Sequence, residues 1–530
     1  MSWHKPILAQ IAACLNRQAG KSKPPYQPEG GLGLRRNKPA LQSLDSSIAD
    51  VPLPGQLVLP LLDYSKQVLK PIVEVGSALN AGDLIASNVL ATANGTVSAI
   101  EYRPILHPSH RKALCVVIDT HENQSIEDAP VLPAVEKLTI ERLERACIAG
   151  LGGAGFGTAN KLDAYMSNSS SKPMHTLLVN AVECETLISC DEALIRSYPD
   201  SVITAVATMA DLSKCTRCII AVEDDKKEAI AVLTDAIARS EANRHHLRDS
   251  TTEHSRSPVP IELVQLSAIY PSGAETVLIQ RITGRTVLAG TKATDLGILC
   301  LNVATVVAAW RAQLGHPMLS RIVTVAGSKA ANPVNVRVRI GTSISHVLRH
   351  TGNLQQGETV RVRAGGPLSG FDLPDADAPV TATTNCIAIE PVAVRTPAQP
   401  CIRCSQCSDV CPVNLIPQQL HWHATSDDID GALHFGLNSC IECGCCDVVC
   451  PSSIELTSSF RYARAAWRER EHQKTEAINA RERYEQRAVR LQRMELQAKQ
   501  SREKKKAQLA TIGDPIAAAL ARARARKKKR

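Results

Sequence analysis

Aromatic side chains are scarce in this 530-residue sequence, at 3% with four Phe and four Trp. Single-stranded nucleic acid is gripped largely by aromatic stacking, so that scarcity argues against a nucleic-acid partner. Long hydrophobic runs are missing as well. The best candidate, Leu296 to Trp310, contains Asn302 and stops short of the roughly 18 residues a membrane span requires. It predicts a buried helix. The opening MSWHKPILAQIAACL has one lysine and no convincing cleavage site, so no signal peptide is expected. A soluble or peripheral protein follows. Charge of one sign is also absent from most of the chain. Residues 501–530 hold eleven Lys or Arg against Glu503 and Asp514, which accounts for the whole net charge of +9.

Cysteine, by contrast, is concentrated. Of eighteen, nine fall between Cys401 and Pro451, eight of them in two copies of C-x2-C-x2-C-x3-C-P. The first copy holds Cys401, Cys404, Cys407 and Cys411; the second holds Cys440, Cys443, Cys446 and Cys450. Three thiolates at two-residue intervals wrap one corner of an iron-sulfur cube. In two-cluster ferredoxins the fourth cysteine ligates the other cube. One [4Fe-4S] cluster is therefore assigned to Cys401, Cys404, Cys407 and Cys450, the other to Cys440, Cys443, Cys446 and Cys411. Zinc, the rival, needs paired cysteines with a spacer, not four within so short a run. Cys445 breaks the register and is read as a non-ligand. The remaining cysteines form no second array; Cys215 and Cys218 are read as helix-to-strand packing. So many thiols point to a reducing compartment.

The fold class expected is multidomain, α/β and α+β. Residues 1–45 are a polar arm, expected to be loosely held. Residues 46–125 show short strands punctuated at Gly76, Gly82 and Gly95, resembling the β-barrel of biotinyl and lipoyl carrier domains. The turn where such carriers present a lysine reads A-T-A-N-G, so a packing or docking barrel is expected. Residues 126–260 read as α/β. There a helix runs into G-L-G-G-A-G-F-G-T-A-N-K, from Gly150 to Lys161, followed by the strand LLVNAVECE and a further strand and helix, IIAVEDDKKEAI. Gly150, Gly152 and Gly155 match G-x-G-x-x-G, but no strand precedes them and Ser170 stands where an acid would be. The run is either a phosphate loop of another fold or a tight turn. Residues 261–385 continue as α/β through Y-P-S-G-A-E and the turn A-G-G-P-L-S-G-F (364–371). Their alternating Arg337, Arg339, Arg361 and Arg363 are expected on an exposed strand face. Residues 386–465 are the dicluster ferredoxin domain. Residues 466–530 form a charged, helical or disordered tail whose basic end is solvated or drawn to anionic lipid.

GLGGAGFGTANKL, LLVNAVECE and IIAVEDDKKEAI resemble the flavin- and NADH-binding module shared by the large peripheral subunit of respiratory complex I and the RnfC (RsxC) family of the Rnf/Rsx ion-translocating electron-transport complex. The order of barrel, flavin module and tandem cysteine motifs is similar to RnfC over roughly residues 45–465, and residues 321–352 look like its ubiquitin-like SLBB fold. The resemblance implies that FMN lies against Gly152, Gly153 and Gly155 with Lys161, Asn180 and Glu183 in contact, and that Phe156 and Glu185 position NADH. It further implies a peripheral subunit on the cytoplasmic face of the bacterial inner membrane. There it would pass electrons between NADH or ferredoxin and membrane flavoprotein and ferredoxin-like subunits, with ion translocation residing in those partners. Gly157 and Thr186 replace the family's prolines, and Ala181-Val182 replace its Gly-Ala. These departures motivate a second reading, a cluster-bearing relay and docking subunit with no nicotinamide site. A third is a soluble NADH dehydrogenase acting alone.

Overall fold

The computed structural model describes residues 30–33, 48–63, 67–121, 124, 131–167, 175–248, 259–288, 290–353, 360–374, 376–392, 396–511 and 515–528. The chain divides into two units, Met1–Phe460 and Arg461–Arg530.

In the first unit, β1 (Ala49–Asp50) is followed by the barrel strands β2 (Gln56–Pro60), β3 (Ala78–Leu79), β4 (Leu84–Ala86), β5 (Val89–Leu90), β6 (Gly95–Pro104) and β7 (Lys112–Thr120). An antiparallel sheet runs β2-β7-β6-β3, and β4 pairs with β5 beside it. Leu57, Leu59, Ile85, Val97, Val116 and Ile118 fill the interior.

Next come α1 (Ile140–Arg145), α2 (Thr158–Ser167), β8 (Thr176–Ala181), α3 (Cys190–Ser197), α4 (Pro199–Ser213), β9 (Arg217–Glu223), α5 (Lys227–Arg248), β10 (Ile261–Leu266), α6 (Glu275–Thr283), β11 (Ile298–Asn302) and α7 (Val303–Gln313). Four strands form one parallel sheet in the order β10-β9-β8-β11. Strands covered on both faces are apolar almost without break, which is how LLV, CIIAV and ILCL read. Two expectations change here. The α/β domain does not stop at residue 260, because β10 and β11 complete its sheet. Leu296–Trp310 is not one helix either: it is β11 followed by α7, and Asn302 is the hinge, its Oδ1 accepting from the amides of Ala304 (2.9 Å) and Thr305 (3.4 Å). A side chain that caps a helix start is favoured there and disfavoured inside. Cys215 and Cys218 are buried in this core.

The third sheet is mixed, with β12 (Ser320–Ala326), β13 (Val334–Arg339), β14 (Val360–Ala364), β15 (Phe371–Asp372) and β16 (Cys386–Pro391) in the order β1-β13-β12-β16-β14-β15, and α8 (Ile344–His350) packs into its apolar core. Residues 386–391 thus belong to this sheet and not to the dicluster domain. The arginines are not an exposed face. Arg337 makes a two-pronged bond to Asp50 (2.6 and 3.0 Å), Arg339 is buried, and Arg361 and Arg363 pair with Asp372.

The dicluster region is built from short helices, α9 (Gln406–Asp409), α10 (Pro417–Thr425), α11 (Ile429–His434), α12 (Cys445–Val449) and the start of α13 (Leu456–Thr511). Residues 30–33 of the arm are held, not loose. Leu32 is fully buried and exchanges amide hydrogen bonds with Tyr270 (2.8 and 2.9 Å), while the Gly31 amide donates to the Val410 carbonyl (2.9 Å). The rest of the expected arm lies outside the described residues. In the second unit, α13 is exposed almost throughout from Arg468 onward, as is α14 (Pro515–Lys527), with side-chain pairs such as Arg481–Glu485 along the surface of α13. Among the described residues no helix is long and apolar enough to cross a membrane.

Candidate redox centres

The two cysteine loops fold alike. In each, the residues flanking the middle cysteine take left-handed backbone conformations: Arg403 (φ 58°) and Ser405 (φ 63°) around Cys404, Glu442 (φ 54°) and Gly444 (φ 76°) around Cys443. Each loop then enters one short helix, α9 or α12, and another left-handed residue, Asn414 or Ser453, follows the last cysteine. Non-glycine residues hold such conformations only where their surroundings fix them. The turns aim backbone amides at sulfur: Glu442 N lies 3.4 Å from Cys440 Sγ, and Leu415 N lies 3.3 Å from Cys411 Sγ.

The cysteines surround two cavities. One is lined by Cys411, Cys440, Cys443 and Cys446, with Leu420 and Phe460 among its apolar walls. The other is lined by Cys401, Cys404, Cys407 and Cys450. Each wall thus takes three cysteines from one motif and the last from the other. Four thiols around one pocket are the donor set that a cubane cluster requires, so the residues fit the group. Cys445 is fully buried and also borders the first cavity. Its hydrogen bond to Cys443, together with burial, holds its thiol protonated.

The glycine-rich run closes on itself through Gly150 N to Phe156 O (2.8 Å) and Gly155 N to Gly150 O (3.2 Å). Leu151 N donates to Thr305 Oγ1 (2.8 Å), which places the loop at the carboxyl edge of the parallel sheet, the edge where open α/β folds bind ligands. Asn180 and Asn302 are register partners there, and a Cβ on Gly152 would lie 3.2 Å from that of Asn302. Asn180 Nδ2 donates to Gly273 O (2.9 Å). Gly153 (φ 102°) and Gly155 (φ 68°) make the loop's turns, and Thr158 Oγ1, buried at the start of α2, has no hydrogen-bond partner among the described residues. A glycine cradle with an unused hydroxyl at a helix N-terminus fits a phosphate-bearing flavin. Phe156 is half exposed, and Lys161 pairs with Glu275 (2.7 Å).

The two glutamates lie nearby but face different partners. Glu183 is buried and accepts from the Asp191 and Glu192 amides (2.8 and 2.9 Å) at the start of α3, with Lys226 3.5 Å away. Glu183, Cys190 and Asp191 bring their donor atoms within 4.8 Å of one another. Burial and the Glu183 charge push the Asp191 carboxyl up to about 7, although Asn302 donates to it. Glu185 accepts from Ser369 and Leu368, in the 364–371 turn. Asn302, Thr305, Gly273 and Glu275 also border this region and do not stand out as site residues in the sequence; of these, only the Asn-Val-Ala-Thr cap carries a local signal.

Comparison with known proteins agrees with this architecture. Residues 27–123 match the RnfC barrel sandwich hybrid domain, 143–311 the Nuo51 FMN-binding domain, and 400–454 a 4Fe-4S dicluster domain. The C subunit of the ion-translocating oxidoreductase complex of Serratia proteamaculans is 35% identical over 511 residues, covering 94% of this chain and 69% of the relative. The chain belongs to the RnfC family of ion-translocating oxidoreductase complexes. The Pseudomonas aeruginosa member is 38% identical over 532 residues, covering 94% of the chain, and the Edwardsiella ictaluri member 35% over 507, covering 92%. The chain spans 65% and 60% of the lengths of those two relatives. An NAD+-reducing [NiFe]-hydrogenase superposes with a TM-score of 0.45 at 17% identity, covering 62% of this chain and 59% of that one. FMN and [4Fe-4S] clusters are the cofactors of this RnfC family member.

Proposed function

We propose that the protein is the peripheral, cytoplasmic-face electron-transfer subunit of an Rnf-type complex of the bacterial inner membrane, exchanging electrons between NADH and membrane flavoprotein or ferredoxin-like partners, with ion translocation carried by those partners. When bound, FMN exchanges electron pairs with a nicotinamide and single electrons with the clusters, which relay them. The chain's own residues hold and separate these groups. Gly152, Gly153 and Gly155 form the flavin cradle, with Thr158 at its phosphate end. Asn180, locked by Gly273, and Lys161, released from Glu275, reach the flavin. Glu183 sets the strand end by anchoring α3, and half-exposed Phe156 faces the incoming nicotinamide. Cys401, Cys404, Cys407 and Cys450 hold one cluster; Cys411, Cys440, Cys443 and Cys446 hold the other.

The observation that carries this reading is the abutment of the flavin module and one cysteine cavity. Tyr270 Oη donates to the Cys443 carbonyl (2.7 Å), while Gly273, three residues on, accepts from Asn180. Anaerobic protein reconstituted with iron, sulfide and FMN should bleach at the flavin on adding NADH and then show reduced-cluster EPR signals. Retained FMN that NADH leaves oxidised would refute it.

A relay without its own nicotinamide site is the second reading. Its support is that both strand-end glutamates already bond within the protein. It predicts cluster reduction by dithionite and none by NADH.

A further inference from the structure

The turn A-G-G-P-L-S-G-F (364–371) lies between the two redox regions, and Glu185 grips it. Glu185 is only 6% exposed. Its carboxylate accepts from Ser369 N (2.8 Å), Ser369 Oγ (2.6 Å) and Leu368 N (3.2 Å). Hydrogen bonds to an ionised carboxylate are roughly twice as strong as neutral ones, so three from one turn fix it firmly. Gly366 leaves the room: a Cβ there would lie 2.4 Å from Glu185 Cδ and 2.5 Å from Oε2.

The far side of the turn meets a cysteine loop. A Cβ on Gly444, the residue after Cys443, would lie 3.2 Å from the Leu368 carbonyl oxygen. Leu368 also packs in the apolar cluster of Leu32, Tyr270 and Cys445, together with Cys443. One contact chain therefore runs from Glu185, just past β8, through Leu368 to Cys443 and Gly444.

We propose that Glu185 is a positioning residue for the cluster held by Cys411, Cys440, Cys443 and Cys446: its carboxylate clamps the 366–369 turn, and the turn fixes the Cys443–Gly444 backbone. This role rests on the ligand partition proposed above. Backbone dipoles and hydrogen bonds around the sulfurs set a cluster's reduction potential, so displacing that backbone moves the potential.

The test uses the full chain reconstituted anaerobically with iron, sulfide and FMN. Glu185→Gln removes the charge and places an amide group against the turn's donors. Gly366→Ala keeps the charge and pushes the carboxylate out of its seat. EPR-monitored redox titration should show both variants shifting the midpoint of the signal that Cys443→Ser abolishes. The signal that Cys404→Ser abolishes should stay where it is. The midpoints are read with dithionite and mediators in the absence of NADH, so the shift is measured apart from any nucleotide contact. Unmoved midpoints in both variants would overturn the proposal. Equal shifts of both signals would overturn it too. Should Glu185→Gln fail to assemble, Ser369→Ala deletes one clamp bond and must shift the same signal by less; no shift refutes the clamp. A Cys443→Ser protein keeping both signals would instead sink the ligand partition.

Discussion

Asp191→Asn should make the protein more stable above neutral pH and nearly unchanged in acid. Asp191 is 8% exposed, and Glu183, the Cys190 thiol, Arg321, Lys226 and Asn302 surround it. Burial and then the Glu183 charge raise its carboxyl from an ordinary 3.8 to about 7. The native state therefore holds a proton that the unfolded chain releases near pH 4, and stability falls as pH rises between those values. About three pH units at about 1.4 kcal/mol each give a full cost of order 4 kcal/mol, reached above pH 7. Asparagine avoids it. Its oxygen still accepts from Asn302, and its amide group faces Glu183 as a donor. Thermal unfolding of both proteins from pH 4.5 to 8.5 measures the effect; the variant's advantage should open between about pH 4 and 7 and then level off. An advantage that is constant across that range, or that grows towards acid, would refute the reasoning.

Gly155→Ala places a methyl 2.6 Å from Thr383 Cγ2 at φ 68°, a conformation costing a substituted residue about 1–2 kcal/mol. FMN retention measured by equilibrium dialysis should fall about tenfold or more, and unchanged retention would remove the loop from the flavin site. Phe460→Ala empties a buried wall of the Cys411 cavity and should cost about 3–5 kcal/mol, seen as an earlier melt and faster iron loss in air. Leu32→Ala should cost about 2–5 kcal/mol in the same melt, whereas a loose arm would show no change.

The cysteine spacing made the dicluster domain legible because each ligand loop is local: three thiols within seven residues need nothing distant. Only the fourth ligand of each set crosses over, and that exchange came from the behaviour of two-cluster ferredoxins. Domain limits were harder to read. β10 joins β9, and β11 joins β8 more than a hundred residues away, so no composition change marks where the parallel sheet ends. Leu296–Trp310 misled because a buried strand and a buried helix are equally apolar, and only Asn302 as a cap separates them. Leu32 gave no periodic signal at all: two hydrogen bonds to Tyr270 hold it, and these are visible only when the chain is folded. The arginines of β13 and β14 alternate as surface residues do, but Asp50 and Asp372 arrive from other strands to pair with them. Glu183 and Glu185 stood out as a pair, while their different partners, the start of α3 and the 366–369 turn, depend on the tertiary fold.

The exchange of ligands between the two motifs is tested most directly by EPR of reduced, anaerobically reconstituted Cys411→Ser beside Cys443→Ser and Cys404→Ser, with about eight irons expected in the parent. Cys411→Ser should lose the same signal as Cys443→Ser and keep the one lost in Cys404→Ser. Loss of the Cys404 signal instead, or of neither, would contradict the exchange.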